Sequence, residues 1–212
     1  MKWEDEAIVL AARPHGESAA VVQLLTRAHG RHAGLVRGGQ SARLRGIYQS
    51  GNRVTATWSG RLPEHLGSLE CELDCSYMAR VLDDSDRLAA LSAATAVCEG
   101  AMPEREPHPA CFEGLLALME ALEGDHWAEV YVRWELAFLA ELGFGLDLTR
   151  CAAGIENDQL AYVSPRSGRA VSLSAGEPYR EKLLTLPGFL VGQGEGGPAE
   201  VAQGLALTGF FL

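Results

Sequence analysis

Arginine suits a phosphodiester better than any other side chain, because it stays charged and its fork of N–H donors can meet two oxygens at once. Residues 18–63 carry seven arginines: Arg27, Arg31, Arg37, Arg43, Arg45, Arg53 and Arg61. The same stretch contains His29, His32 and Trp58 and no aspartate or glutamate. The whole chain of 212 residues nevertheless has a formal net charge of −10. Residues 1–69 hold nine Lys/Arg against five Asp/Glu, and residues 70–212 hold nine against 23. A basic segment without local acids repels itself unless an anion lies on it, so a polyanion is the expected partner of the first part of the chain. An ordinary solvated surface would mix acids among the arginines at this composition, so nucleic acid is the preferred reading.

Other chemistries are poorly represented. The six histidines (His15, His29, His32, His65, His108, His126) come with no Gly-x-Ser-x-Gly elbow, phosphate-binding Walker loop, His-Glu-x-x-His or paired-carboxylate pattern. Without a positioned base and nucleophile no enzyme is expected. The Gly-rich run at 192–197 follows Phe189-Leu190-Val191 and imitates a dinucleotide loop. The chain ends at residue 212, too soon for the strand and acid that such a unit requires. The five cysteines, Cys71, Cys75, Cys98, Cys111 and Cys151, show no repeated pair spacing and read as small buried hydrophobes. Cys151 stands alone, short of the four ligands of a structural zinc, so no metal is expected.

The arginines need a scaffold, and the pattern around them is that of strands. Short apolar or alternating runs at 6–12, 19–26, 31–37, 53–58 and 68–77 are separated by glycine turns. Val54, Ala56 and Trp58 share one strand face; Leu69, Cys71, Leu73, Cys75 and Tyr77 share another. Five such strands suit a small closed barrel of the OB type, which binds single strands along a basic groove. Trp58 falls on the apolar face and reads as core, which leaves Trp3 and Tyr48 as the remaining aromatics of this half. From residue 83 the period becomes helical. The stripes are Leu88, Leu91, Thr95, Cys98, Met102, then Phe112, Leu115, Met119, Leu122, then Trp127, Val130, Trp134, Phe138, Leu142, and they predict three helices packed as a bundle. Asp84 or Ser85 is the expected N-cap of the first. Residues 144–178 form an irregular insertion with a short strand at 160–163 and a turn at 164–168, and helical pieces follow near 177–186 and 198–212. The expected organisation is α+β, with a barrel over 1–78 and an all-α helical domain over 79–212. The acids at the start argue against a signal peptide, and no apolar run suits a membrane span, so a cytoplasmic protein is expected. The apolar ending Phe210-Phe211-Leu212 suggests that the natural chain continues.

Several motifs carry a family resemblance. Asp5-Glu6-Ala7-Ile8-Val9-Leu10, Arg13-Pro14-His15-Gly16-Glu17-Ser18, Leu25-Thr26-Arg27-Ala28-His29-Gly30 and Gly34-Leu35-Val36-Arg37-Gly38-Gly39 resemble the N-terminal domain of the RecO family of bacterial DNA repair proteins. Glu64-His65-Leu66-Gly67, Leu146-Asp147-Leu148-Thr149-Arg150-Cys151 and Tyr162-Val163-Ser164-Pro165-Arg166-Ser167-Gly168-Arg169-Ala170-Val171 extend it through most of the chain. The resemblance implies an OB-fold followed by a helical domain, and a recombination mediator without covalent turnover. It implies binding to single- and double-stranded DNA, strand annealing, and nucleoid association in the cytoplasm. The implied partners are RecR, the acidic C-terminal tail of single-stranded-DNA-binding protein and, indirectly, RecA. Many members carry a four-cysteine zinc site; only Cys151 matches it here, so the insertion is read as a degenerate, zinc-less finger and no cofactor is expected. For the acidic tail, Arg133, Arg150, Arg166, Arg169 and Lys182 are the candidate contacts. The competing class is an adaptor whose basic barrel meets acidic partner proteins and barely touches DNA.

Overall fold

Strand β1 (Lys2–His15) is longer at both ends than its apolar centre. Its first half pairs antiparallel with β4 (Lys2↔Ser59 to Ile8↔Arg53) and its second half with β2 (Ala7↔Thr26 to His15↔Ala19). Pro14 is accommodated within β1 because that half of the strand has a ladder on one side only. The acids Glu4, Asp5 and Glu6 sit on paired strand rather than ahead of it. This computed structural model describes residues 1–62, 64–154, 159–194 and 196–212. Pro63 at the end of the acid-free stretch, residues 155–158 of the expected insertion and Glu195 of the Gly-rich run lie outside the described residues.

Next come β2 (Ala19–Thr26), β3 (Gly30–Val36), a four-residue helix α1 (Ala42–Arg45), β4 (Asn52–Ser59) and β5 (Ser68–Ser76). The five strands close into a barrel in the order β1-β2-β3-β5-β4. The β3–β5 closure is parallel and rests on one pairing, Leu35↔Ser68, with Leu35 N–H donating to the Gly67 carbonyl at 3.0 Å. Alternation fills the interior: Ala7, Val9, Ala20, Val22, Leu24, Val36, Val54, Ala56, Trp58 and Leu69 are buried together. Each large side chain among them contributes about 1.5–3 kcal/mol by leaving water. Trp58 is anchored by its indole N–H, which donates to Leu66 O at 3.0 Å. Gly60 and Gly67 give it room, since a Cβ would fall 2.5 Å and 2.4 Å from its ring atoms.

The expected face of β5 holds only in part. Leu69 is buried, Cys71 and Cys75 are half-buried, and Leu73 is 45% exposed. An irregularity opposite Arg53/Val54 shifts the register beyond Leu73, so that Cys75 pairs with Arg53 and leaves the face of Val54.

Helices α2 (Tyr77–Val81), α3 (Ser85–Ala101) and α4 (Pro109–Ala121) follow. Asp84 caps α3, accepting from the N–H groups of Asp86 and Arg87 at 3.0 Å and 3.1 Å. Pro109 opens α4 at a first-turn position that needs no N–H. Phe112, Leu115, Met119 and Leu122 are buried as their spacing predicts. Helix α3 packs on β1, so Ile8 and Leu10 are buried although they are not part of the barrel core. For this reason residues 7–10 form a continuous apolar run instead of alternating.

The chain divides into two compact units, Met1–Gly124 and Asp125–Leu212. By compactness, helices α2–α4 thus group with the barrel. The second unit holds α5 (Trp127–Glu141), β6 (Leu160–Val163), β7 (Ala170–Ser172), α6 (Leu173–Gly176), β8 (Leu184–Thr185) and α7 (Pro198–Phe211). It is not all-α: the strands form a sheet in the order β7-β6-β8. The turn at 164–168 joins β6 to β7, with Gly168 N–H donating to Ser164 O at 2.9 Å. The helical piece near 177–186 resolves into a short 3-10 helix (Glu177–Lys182) and β8. Helix α5 packs on α7 and buries Trp134 and Phe138 as expected. It also buries two acids. Glu135 accepts from the Thr208 hydroxyl, and burial pushes its carboxyl above the usual range. Glu129 accepts from Gly197 N–H at 3.2 Å.

Candidate nucleic-acid interface

The seven arginines fall into two groups. Arg27, Arg31 and Arg53 lie on the barrel strands or their turns and already have anionic or carbonyl partners. Arg27 donates from Nε and Nη2 to Glu6 Oε2 at 3.1 Å and 2.9 Å, pairs through Nη1 with Glu113, and stacks its guanidinium 4.7 Å from the Phe112 ring centre. Arg31, with 15% of its side chain exposed, donates to Met102 O at 2.8 Å and lies 3.5 Å from Glu104. Arg53 sits 3.7 Å from Glu6. The segment is therefore neutralised in part, by acids that precede it on β1 or follow it on α4 and the α3–α4 connection. Carboxylates far along the chain do what local ones do not.

That connection straps the barrel. A parallel bridge joins Arg31 to Glu104, and Arg105 N–H donates to Arg31 O at 2.8 Å. Arg105 has φ of 60°, the left-handed region, and its Nη2 donates to Glu64 O at 3.0 Å. Gly30, at φ 69°, lets the strap approach: a Cβ there would stand 2.1 Å from Glu106 O.

Arg37, Arg43, Arg45 and Arg61 are exposed and have no ion-pair partner among the described residues. The first three share the β3–β4 connection, Arg43 and Arg45 lying in the last turn of α1. Arg61 lies in the β4–β5 connection, which leaves the other end of β4. The β3–β4 connection is tied to the β1–β2 turn: Gln40 N–H donates to Ser18 O at 3.0 Å, and the Gln40 side-chain amide donates to Gly16 O and Ala19 O at 3.0 Å and 2.9 Å. Between them opens a cleft of about 320 Å³ lined by Ala12, Arg13, Pro14, Ala20, Gly39, Gln40, Arg45 and Tyr48. Arg13 pairs with Glu99 of α3, and that contact holds its guanidinium in the charged form more firmly. Arg13, Gln40 and Tyr48 do not stand out in the sequence. Their one signal is the Arg13-Pro14-His15-Gly16 turn placed opposite a Gly38-Gly39 break.

The barrel aromatics Trp3, Tyr48 and Trp58 offer no bare platform. Trp3 is half-buried in a stack between His29 (4.3 Å, 9°) and Trp58 (5.8 Å, 13°). His29 Nδ1 is 2.9 Å from Asp5. His32 meets Trp3 and Trp58 edge-on at 5.1 Å and 5.0 Å, is 5% exposed, and has no hydrogen-bond partner on either ring nitrogen. Burial, helped by the nearby Arg105 and His29, lowers its pKa from 6.5 to about 4. Tyr48 is 5% exposed and its hydroxyl accepts from Cys71 N–H at 3.3 Å.

In the second unit Arg150 and Arg169 converge on Asp147, at 4.0 Å and 3.7 Å. Arg133 donates to Phe189 O at 3.1 Å and lies over the Phe189 ring. Arg166 and Lys182 are exposed. Among the described residues no three His, Cys, Asp or Glu side chains come together as a metal group. Cys151 is buried, and its sulfur accepts from Ala153 N–H and Ser172 N–H at 3.4 Å and 3.2 Å. The other four cysteines lie in the first unit, so the residues present do not fit the tetrahedral zinc that the family resemblance implies for many members. No helix among the described residues is long and apolar enough to cross a membrane.

Comparison with known proteins agrees with the motif resemblance. Residues 1–73 match the family model for the recombination protein O N terminal domain, and residues 82–212 match its C terminal counterpart. The family boundary thus lies between β5 and α3, whereas compactness divides the chain after Gly124. The DNA repair protein RecO of Rhodospirillum centenum is 64% identical over the whole chain, which spans 86% of that relative. The RecO proteins of Phenylobacterium zucineum and Caulobacter vibrioides are 52% and 50% identical, again over the whole chain and 88% of each relative. The chain therefore belongs to the RecO family of DNA repair proteins.

Proposed function

We propose that the protein binds DNA through its phosphates at the end of the barrel carrying the β3–β4 connection, and that it acts in repair as a recombination mediator. The observation that carries this is the split among the arginines. Arg37, Arg43 and Arg45 share one connection and keep their charge uncompensated, whereas their neighbours on the strands are paired. Uncompensated arginine beside a closed five-stranded barrel, read here as an OB-fold, supports a groove for a nucleic-acid backbone. With Trp3, Tyr48 and Trp58 packed away, the grip is mainly on phosphate and indifferent to sequence, which suits annealing of arbitrary strands, single or double. Membership of the family supports the wider role: work with RecR, engagement of the acidic tail of single-stranded-DNA-binding protein, and assistance to RecA loading at gaps in the cytoplasm. The action is binding without covalent turnover or a cofactor.

A second reading, a protein-binding adaptor, has one observation in its favour. The same basic segment already accepts carboxylates, from Glu6, Glu104 and Glu113. A fluorescence-anisotropy titration with a labelled single strand at two salt concentrations separates the two. The DNA reading expects affinity to fall steeply with salt. Replacing Arg37, Arg43 and Arg45 by alanine should flatten the log–log slope by about 2, because each phosphate that a single strand no longer has neutralised changes it by roughly 0.7. Unchanged affinity and slope in that variant would reject the site. Weak, salt-insensitive DNA binding beside tight capture of an acidic peptide would favour the adaptor.

A further inference from the structure

We infer that the cleft at this end of the barrel receives one unstacked nucleobase, so that the site reads the presence of a free base as well as phosphate. The inference rests on the DNA-binding reading of Arg37, Arg43 and Arg45 and adds a ligand to a cavity beside them.

The volume of about 320 Å³ is at the lower limit of small-molecule sites. Its walls divide by chemistry. Ala12, Pro14, Ala20 and Gly39 are small or flat, and the buried Tyr48 completes the lining, its hydroxyl already accepting from Cys71 N–H at 3.3 Å. Gly39 and Ala20 meet closely, since a Cβ at Gly39 would lie 2.8 Å from the Ala20 Cβ, so that wall admits no larger residue. The polar groups are also sorted. Gln40 spends both amide hydrogens on Gly16 O and Ala19 O, so its oxygen remains to accept. An acceptor of that kind suits a base indifferently, since adenine and cytosine bring an exocyclic amine and thymine and guanine a ring N–H. Of the two cations, Arg13 is committed to Glu99, while Arg45 is uncompensated and available to the phosphate attached to the same nucleotide. Glu17, in the adjoining β1–β2 turn, is exposed and disfavours a ligand carrying more anionic charge than a single phosphodiester. Apolar walls, one acceptor and one free cation describe a nucleotide unit of a single strand. In a duplex the base is held in its stack and cannot enter without being extruded.

The experiment uses the full chain and two labelled probes, an oligothymidylate and the same oligomer with abasic sugars, which keeps the phosphates and removes the bases. The protein is expected to bind the thymidylate roughly tenfold more tightly than the abasic strand, in line with a single base contact. Ala12→Phe fills the cleft without removing a charge; it should abolish that preference and leave abasic binding unchanged. Ala12 is exposed on strand β1, so the variant is expected to fold, and Ala12→Leu serves if its thermal midpoint falls. Equal affinity of the wild-type chain for the two probes, or a preference that survives in both cleft-filling variants, overturns the inference. Failure of the underlying reading looks different: neither probe then binds with salt dependence, and Arg37→Ala with Arg43→Ala leaves the abasic strand unaffected.

Discussion

His32 should make the barrel acid-sensitive well above the range where carboxylates titrate. It is 5% exposed, wedged edge-on against Trp3 and Trp58, and both ring nitrogens lack a hydrogen-bond partner. In the folded protein its pKa is about 4, against 6.5 for a free imidazole. Between those values the unfolded chain binds the extra proton and the folded chain does not. Stability therefore falls as pH drops through 6.5 and levels off below about 4. At 1.36 kcal/mol per unit the full effect is about 3 kcal/mol, and about 2 kcal/mol is already lost between pH 7.5 and 5. That is a large part of the 5–15 kcal/mol typical of a domain. The perturbation is His32→Phe, which keeps a ring in the same space but cannot titrate. Urea unfolding of both proteins at pH 7.5, 6 and 5 supplies the comparison. Glu104, Arg105 and the His29–Asp5 pair are common to both proteins, so the difference between the two pH slopes isolates His32. The wild-type chain should lose about 2 kcal/mol more than the variant over the window. Parallel losses, or a His32 Cε1 resonance titrating above pH 6, would refute the picture of an imidazole buried in its neutral form.

Two further substitutions test how the arginines divide. Arg27→Ala removes the pairing with Glu6 and Glu113 and the stacking on Phe112, all partly exposed, and should cost about 1–2 kcal/mol in chemical denaturation while leaving single-strand affinity within twofold. A large loss of DNA binding with unchanged stability would move Arg27 into the binding group. Gly30→Ala places a Cβ 2.1 Å from Glu106 O at a backbone φ of 69°, so the strap at 102–106 must shift. The expected result is a loss of about 2 kcal/mol or more and faster amide exchange at Arg105.

Much of the barrel was legible because alternation is a local signal. Val54, Ala56 and Trp58 on β4 needed only each other to be assigned. What was not legible depended on distant partners. The start of β1 reads as polar leader, because Glu4, Asp5 and Glu6 look like solvated charge until β4 pairs with them and Arg27, His29 and Arg53 meet them. The sheet of the second unit escaped because β7 and β8 have three and two residues, too few to show a period. Helices α3 and α4 were legible as helices, but their packing partners were not. Their apolar stripes show that something covers them, not that β1 lies beneath α3.

The charge pattern shows the same limit at the functional site. Residues 18–63 contain no acid, yet that did not mean absence of neutralisation. Glu113 reaches Arg27 from 86 positions further along the chain, and Glu104 reaches Arg31. Those contacts divide one run of arginines into two parts with different work. The strand-borne set fastens α4 and the strap to the barrel. The set in the β3–β4 connection has no such partner among the described residues and keeps its field for a ligand. A self-repelling segment thus becomes stable without its ligand, because only part of its charge is left uncompensated. The uncompensated part is confined to a connection tied down by Gln40 beside an open cleft, which is why the proposed phosphate contacts and the proposed base pocket fall at one end of the barrel.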